Sequence, residues 1–134
     1  MDDLISIVIP TLGRKDEVIQ CLESIKNQNH KNIEVILVDQ NCDDSLVEIV
    51  SDFESDLCLI HFKVSFKGAS KARNYGCKYA KGDYIFTMDD DAELFKDTLS
   101  IALQTIISIS ADVVFGRCID REGNNSVLDF CETE

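Results

Sequence analysis

Three adjacent aspartates, Asp89, Asp90 and Asp91, directly follow the apolar run Tyr84–Met88. Carboxylates this close repel one another, and the repulsion raises the pKa of some of them. A hard divalent cation relieves that repulsion, and Mg²⁺ and Mn²⁺ prefer oxygen ligands of this kind. Because the run abuts a buried apolar segment, the pattern favours a divalent cation site over the alternative, a solvated acidic turn.

Three further residues lie where they could complete a site. Thr11 and Asp39 each follow an apolar run, and Arg73 lies on a predicted helix that begins near residues 68–70. The N–H groups and dipole at a helix start favour an anion, and arginine pairs with phosphate or carboxylate. Asp39 could instead cap the next helix, and Arg73 could instead form a surface salt bridge. These residues alone leave both alternatives open.

Short apolar runs alternate with amphipathic segments along the chain. The runs predict five strands, at Ile5–Ile9, Ile33–Val38, Leu57–Val64, Tyr84–Met88 and Asp112–Gly116. The segments between them predict four helices, at Arg14–Asn27, from about Asp44, at Ser70–Ala80 with Gly82 as its glycine C-cap, and at Asp97–Ile109. This order predicts the α/β class, as a three-layer α/β/α sandwich with a mainly parallel sheet. Ligands of such sheets bind beyond the carboxyl ends of the strands.

Composition narrows the function further. The 134 residues suit a single domain over 1–134, and the net charge of −12 argues against nucleic acid as a partner. No apolar stretch is long enough for a membrane helix, and the acidic start is unlike a signal peptide. The six scattered cysteines are typical of free thiols in a reducing compartment. We therefore expect a cytoplasmic protein, with the inner face of the membrane as a further location.

Four segments, in this order, resemble glycosyltransferase family 2, whose members have the GT-A fold. They are residues 5–14, 33–41, 68–76 and 82–91. The third is similar to the family's Gly-x-x-x-Ala-Arg-Asn-x-Gly segment, and the fourth to its Gly-(Asp/Glu)-Tyr-Ile segment that leads into a DxD motif. Each match alone is weak, but four in the family's order are specific.

The resemblance implies a donor site for a nucleotide diphosphate sugar, with a UDP-sugar as the first expectation. Pro10 and Thr11 would lie against the nucleoside, Asp39 would accept a hydrogen bond from the base, and Arg73 would lie near the diphosphate or base. The sugar would pass, with inversion, to a saccharide or other hydroxyl acceptor in glycan or polysaccharide biosynthesis.

The aspartates also receive roles from the resemblance. Asp89 or Asp90 would hold the ribose, and Asp91, together with Asp89, would bind Mg²⁺ or Mn²⁺. That cation would bridge to the diphosphate, which reconciles an acidic protein with an anionic donor.

The sequence departs from the family pattern in two places. Leu12-Gly13 stands where the family often has an aromatic residue and Asn, and residues 40–44 replace the usual Asp-Gly-Ser-Thr-Asp turn. The family's acceptor half and its catalytic base follow the DxD strand. We expect this chain to lack that half, and we assign no base.

Three other functions compete with the transferase. The first is a module that binds nucleotide sugars without turnover. A phospho-acceptor receiver domain is disfavoured, because Pro10-Thr11 and Gly116-Arg117 stand where it needs an acidic pair and a lysine. A dinucleotide-binding domain is disfavoured because no GxGxxG motif follows the first strand.

Overall fold

The computed structural model describes residues 2–124. Strands and helices alternate in the order β1 (Ile5–Thr11), α1 (Lys15–Lys26), β2 (Ile33–Asp39), α2 (Val47–Phe53), β3 (Cys58–Lys63), α3 (Ala69–Tyr79), β4 (Tyr84–Thr87) and α4 (Thr98–Ser108). The predicted α/β class is confirmed, and the first four predicted strands and the four predicted helices are present, with no end shifted by more than three residues.

The four strands form one parallel sheet in the order β3-β2-β1-β4. Every residue of β1 and β2 is buried. Because alternate side chains of a strand point to opposite faces, full burial means that both faces of these strands are covered. The chain runs outward from β1 to β3 and then returns to β4 on the other side of β1. Right-handed crossovers therefore place α3 on the face opposite α1 and α2, which gives the three layers.

Helix α3 lies close to the sheet because its inner face carries small residues. Ala72 is buried in a cluster with Val8, Ile36 and Val38. One turn further along, a Cβ added to Gly76 would lie 2.4 Å from Val8 Cγ1 and 3.2 Å from Val38 Cγ2. Real Cβ atoms do not come as close as 2.4 Å. Glycine at this position therefore allows α3, which carries the predicted site arginine, to pack closely against the sheet.

The segment after the three aspartates is tied to the end of α1. The buried amide of Gln28 donates through Nε2 to the Phe95 carbonyl at 2.6 Å and accepts at Oε1 from the Leu99 N–H at 3.1 Å. The Leu94 N–H donates to Ser24 Oγ at 3.0 Å. Side chains in the last turn of α1 and just after it thus hold the backbone of a segment that belongs to no strand.

The predicted fifth strand over Asp112–Gly116 is wrong. Among residues 2–124 this stretch has no ladder partner, and Val113 and Phe115 are 64% and 80% exposed. Its apolar, β-branched composition suits a strand, but a strand exists only where a neighbour supplies hydrogen bonds and a surface to bury it.

The predicted glycine C-cap of α3 is also wrong. The cap residue is Ala80, in extended backbone with φ −65° and ψ 135°. Gly82 serves a different purpose, since a Cβ there would lie 2.6 Å from Ser6 Oγ and 2.7 Å from Ser6 N. The chain needs a glycine at this point to pass close to β1.

The chain divides into two compact units, Met1–Leu99 and Ser100–Glu134. The first holds the whole sheet. In the described part of the second, Asp120 organises a turn, with Oδ1 accepting from the Glu122 and Asn124 N–H groups at 3.0 and 2.8 Å. Across residues 2–124, no helix has the length and apolar character needed to cross a membrane.

Candidate functional site

A cleft of about 450 Å³ opens where the carboxyl ends of β1 and β4 diverge. Strand β1 pairs with β4 only as far as Val8 and Thr87, whereas it pairs with β2 through Thr11 and Asp39. The chain after Thr87 therefore leaves the sheet beside the last three residues of β1. This gap lies where the strand order reverses, the usual ligand position in an open parallel sheet.

Six of the seven predicted site residues line this cleft. They are Pro10, Thr11, Arg73, Asp89, Asp90 and Asp91. The seventh, Asp39, is not among the lining residues. The lining also includes residues that sequence reasoning did not assign, namely Leu12, Arg14, Gln40, Gly68 and Ala69.

Two arginines compensate the charge of the aspartates. Arg73 Nη2 lies 2.5 Å from Asp89 Oδ1 on one side of the cleft. On the other side, Arg14 forms a close ion pair with Asp91 and lies 3.5 Å from Asp90 Oδ1. The side chains of Asp89 and Asp91 are 63% and 49% exposed, so both remain accessible to a ligand.

Asp90 differs from its neighbours because its side chain is only 8% exposed. Burial raises the pKa of Asp90 above its ordinary value, and the charge of Asp91 adds to the rise. The Thr11 hydroxyl, the Arg14 guanidinium and the Leu12 N–H act in the opposite direction. The buried Thr11 Oγ1 nevertheless makes no hydrogen bond of ordinary geometry within the described residues. One buried polar atom beneath the cleft, Thr11 Oγ1, thus has no fixed partner among the described residues.

The aspartates suit a cation that is shared with a ligand. Within the described residues, no three His, Cys, Asp or Glu side chains converge into a metal cage. Mg²⁺ commonly takes one or two protein carboxylates and completes its shell with water and phosphate oxygens. The two exposed carboxylates, Asp89 and Asp91, match that requirement.

Asp39 lies fully buried beside the cleft. Its Oδ1 accepts from the backbone N–H and the side-chain amide of Asn41, at 2.9 and 2.8 Å. Its Oδ2 lies 2.8 Å from His61 Nε2, which donates to it, and 3.9 Å from Lys63 Nζ. Helix α2 has Leu46 at its N-cap, so the capping alternative for Asp39 is wrong.

Gln40 fixes the start of α3. Its side-chain Oε1 accepts from the Gly68 N–H at 2.7 Å, and its backbone carbonyl accepts from Lys67 Nζ at 2.8 Å. Gly68 has φ +133°, a conformation that L side chains rarely adopt. The helix then begins at Ala69, which places Arg73 one turn into it, facing Asp89.

The sequence matches Glycosyl transferase family 2 over residues 6–130, so the chain belongs to that family. The predicted family and the GT-A type of fold are both confirmed.

Named relatives agree with this assignment. Glycosyltransferase GlyG of Streptococcus pneumoniae is 34% identical over 144 residues, which cover 100% of this chain and 48% of the relative. The GalNAc(5)-diNAcBac-PP-undecaprenol beta-1,3-glucosyltransferase of Campylobacter jejuni is 32% identical over 126 residues, covering 91% of this chain and 40% of the relative.

The crystal structure of S. aureus TarS 1-349 in complex with UDP is also similar. It superposes with a TM-score of 0.76 at 27% identity, covering 88% of this chain and 38% of that one. The chain thus spans less than half the length of each of these three proteins.

Proposed function

We propose that the cleft binds the nucleoside diphosphate of a nucleotide sugar and that the protein transfers the sugar to a hydroxyl acceptor. The observation that carries the proposal is the composition of the cleft at the strand-order reversal. Two exposed carboxylates, two arginines and the start of a helix face one space of suitable size. Family membership supports the same reaction class.

Different residues of the cleft would bind different parts of the donor. Asp91 and Asp89 would hold Mg²⁺ or Mn²⁺, which when bound neutralises charge on the leaving diphosphate. Arg73, beside the start of α3, would contact a phosphate oxygen in exchange for its pairing with Asp89. Each of these contacts favours departure of the nucleoside diphosphate, because negative charge grows on it as the sugar bond breaks.

The nucleoside would lie over the end of β1. Pro10 and Thr11 line the cleft there, and both are buried. The Thr11 hydroxyl, which lacks a partner of ordinary geometry within the described residues, would have to become accessible to donate to the nucleoside. The carboxylate of Asp90 would accept from a ribose hydroxyl. Asp39 would accept a hydrogen bond from the base. To do so at Oδ1, it would have to lose one of the two hydrogen bonds that Asn41 donates to that oxygen.

A uridine nucleotide is the first candidate for the donor. TarS, at 26% identity and a TM-score of 0.74, has been crystallised in complex with UDP-GlcNAc. The acceptor would be a saccharide or another hydroxyl compound, and inversion requires a base that removes the hydroxyl proton. The aspartates of the cleft are paired with arginines, so we assign this role to none of them.

Binding without turnover is the second candidate function. It is favoured by the same cleft, because each of the three aspartates that line it lies beside an arginine and none of the three is left as a base. Release of UDP from UDP-GlcNAc in the presence of acceptor glycans distinguishes the two, since a pure binding module would retain the sugar nucleotide intact.

Calorimetric titration of UDP and of GDP, with Mn²⁺ and then with EDTA, tests the donor site. We expect one nucleotide to bind only when Mn²⁺ is present. In Asp91→Asn, Mn²⁺ should no longer increase the affinity for that nucleotide. Asp52→Asn removes the same charge from an exposed position on α2 and is the matched control. Equal affinity with Mn²⁺ and with EDTA, or an equal effect of both variants, would contradict the assignment.

A further inference from the structure

Arg14 reaches across the cleft from a position outside the sheet. It is the N-cap residue of α1, and it follows Gly13, whose φ is +69°. Its guanidinium makes a close ion pair with Asp91 and lies 3.5 Å from Asp90 Oδ1, while half of its side chain remains exposed. The carboxylate proposed to hold the cation is therefore already paired with a cation that belongs to the protein.

The two aspartates with exposed side chains have separate partners. Asp89 pairs with Arg73 on α3, and Asp91 pairs with Arg14 on α1. The guanidinium lies on Asp91 Oδ2, and a divalent ion at either oxygen of the same carboxylate would lie close to it. The two positive charges would repel each other, so they compete for Asp91. An exposed ion pair of this kind contributes little free energy, and a long exposed side chain can swing away.

We propose that Arg14 is the internal counter-ion of the cation site, competing with the divalent cation for Asp91. This inference rests on the proposed function. Before a cation binds, Arg14 pairs with Asp91 and offsets the repulsion between the adjacent carboxylates. Arg14 leaves Asp91 when the cation binds, and the diphosphate that arrives with the cation gives the guanidinium a new anionic partner. A free cation therefore binds weakly, and cation and nucleotide strengthen each other's binding.

Mn²⁺ titration followed by electron paramagnetic resonance tests the competition without nucleotide or turnover. Arg14→Ala should tighten Mn²⁺ binding about two- to fivefold, the range for loss of an exposed ion pair. Lys15→Ala removes the same charge from the neighbouring exposed position and should leave the affinity nearly unchanged. Equal tightening in both variants, or weaker binding by Arg14→Ala, would overturn the proposal.

The coupling between ligands gives a second measurement. In the wild-type protein, UDP should tighten Mn²⁺ binding more than it does in Arg14→Ala, because only the wild type gains a new partner for a displaced guanidinium. Undiminished coupling in the variant would contradict the exchange.

Arginine side-chain NMR observes the displacement directly. The chain has four arginines, Arg14, Arg73, Arg117 and Arg121, so the Arg14 Nε–Hε signal can be assigned by its loss in Arg14→Lys. This signal should shift with Mg²⁺ along the binding curve. A static signal while Mg²⁺ and UDP bind would overturn only the role of Arg14. If neither ligand binds to any variant, the proposed function fails as well.

Discussion

Asp39 and Asp91 both lie near the carboxyl ends of the strands, but their carboxylates differ in burial and in their partners. Asp39 is fully buried and accepts three hydrogen bonds, all from β3 or from the loop that directly follows β2. Asp91 is half exposed and pairs with one flexible arginine from another element. A buried carboxylate that accepts several hydrogen bonds stabilises the fold. A half-exposed carboxylate that is paired with a long side chain can exchange that side chain for a ligand.

The position of each strand explains the contrast. β2 lies between β1 and β3, so the residue at its end meets side chains from a neighbouring strand. β4 has one partner among the described strands and its pairing ends at Thr87, so the aspartates follow in backbone outside the ladder. Four variants test how far this division holds, from the largest expected effect to the smallest.

Asp39→Ala should be the most destabilising change. It leaves the His61 ring nitrogen and the Asn41 amide without an acceptor in a partly buried setting, which costs about 3 kcal/mol of unfolding free energy. Urea unfolding followed by circular dichroism measures it. A loss no larger than that of Asp91→Ala would erase the distinction between the two carboxylates.

Asp91→Ala should act on binding and spare the fold. We expect the affinity for nucleotide with Mn²⁺ to fall by about 10- to 100-fold, the usual cost of a disturbed metal site. The free energy of unfolding should change by less than about 0.5 kcal/mol because the side chain is exposed. Calorimetry and urea unfolding on one preparation give both values. Normal binding together with a weakened fold would reverse the proposed roles.

His61→Phe should destabilise less than Asp39→Ala. The ring is kept in volume, but Asp39 Oδ2 loses its donor at 2.8 Å, which costs about 1–2 kcal/mol. Asn41 still satisfies Oδ1, so part of the arrangement remains. Unfolding midpoints of the two single variants and of the double variant measure the coupling, and additive effects would show that the two side chains act independently.

Asp90→Asn should give the smallest change, a stabilisation below about 1 kcal/mol at neutral pH. The pKa of Asp90 is raised in the folded protein, so the folded state holds its proton at a pH where the unfolded state has lost it. The wild type therefore loses stability as pH rises from about 4 through the raised pKa. Asp90→Asn has no titratable group at this position, so its stability shows no such decrease.

Thermal unfolding between pH 4 and pH 8 measures this difference. The advantage of Asp90→Asn should grow with pH across that range. An advantage that is largest at pH 4 would contradict the assigned direction.

Most of the fold and much of the site could be predicted from local patterns. The β-branched runs predict β1 and β2, and residues after strand ends predict the cleft, because parallel strands bring their carboxyl ends to one edge. The three aspartates were predicted in this way, and Arg73 was predicted from its place near the start of a helix. Each of these signals is contained in a few consecutive residues.

The missed features depend on partners far apart in the sequence. Arg14 lies 77 positions before Asp91, and nothing in its own segment indicates which carboxylate it reaches. His61 is a polar residue within the strand Cys58–Lys63, and that interruption was the one available signal for it. Gly82 was assigned to a helix end, but the atoms it accommodates belong to Ser6, on another strand.

The ties between Gln28 and the segment after the aspartates have a consequence for how binding is transmitted. Residues at both ends of α1 contact the acidic segment and the residues after it. These are the N-cap residue Arg14 at its start, Ser24 in its last turn, and Gln28 just after its end. The Leu99 N–H, which donates to Gln28 Oε1, lies at the far end of this tethered segment. A ligand that holds Asp91 in place would restrict opening of the segment, so we expect hydrogen exchange at the Leu99 amide to slow when the cleft is occupied.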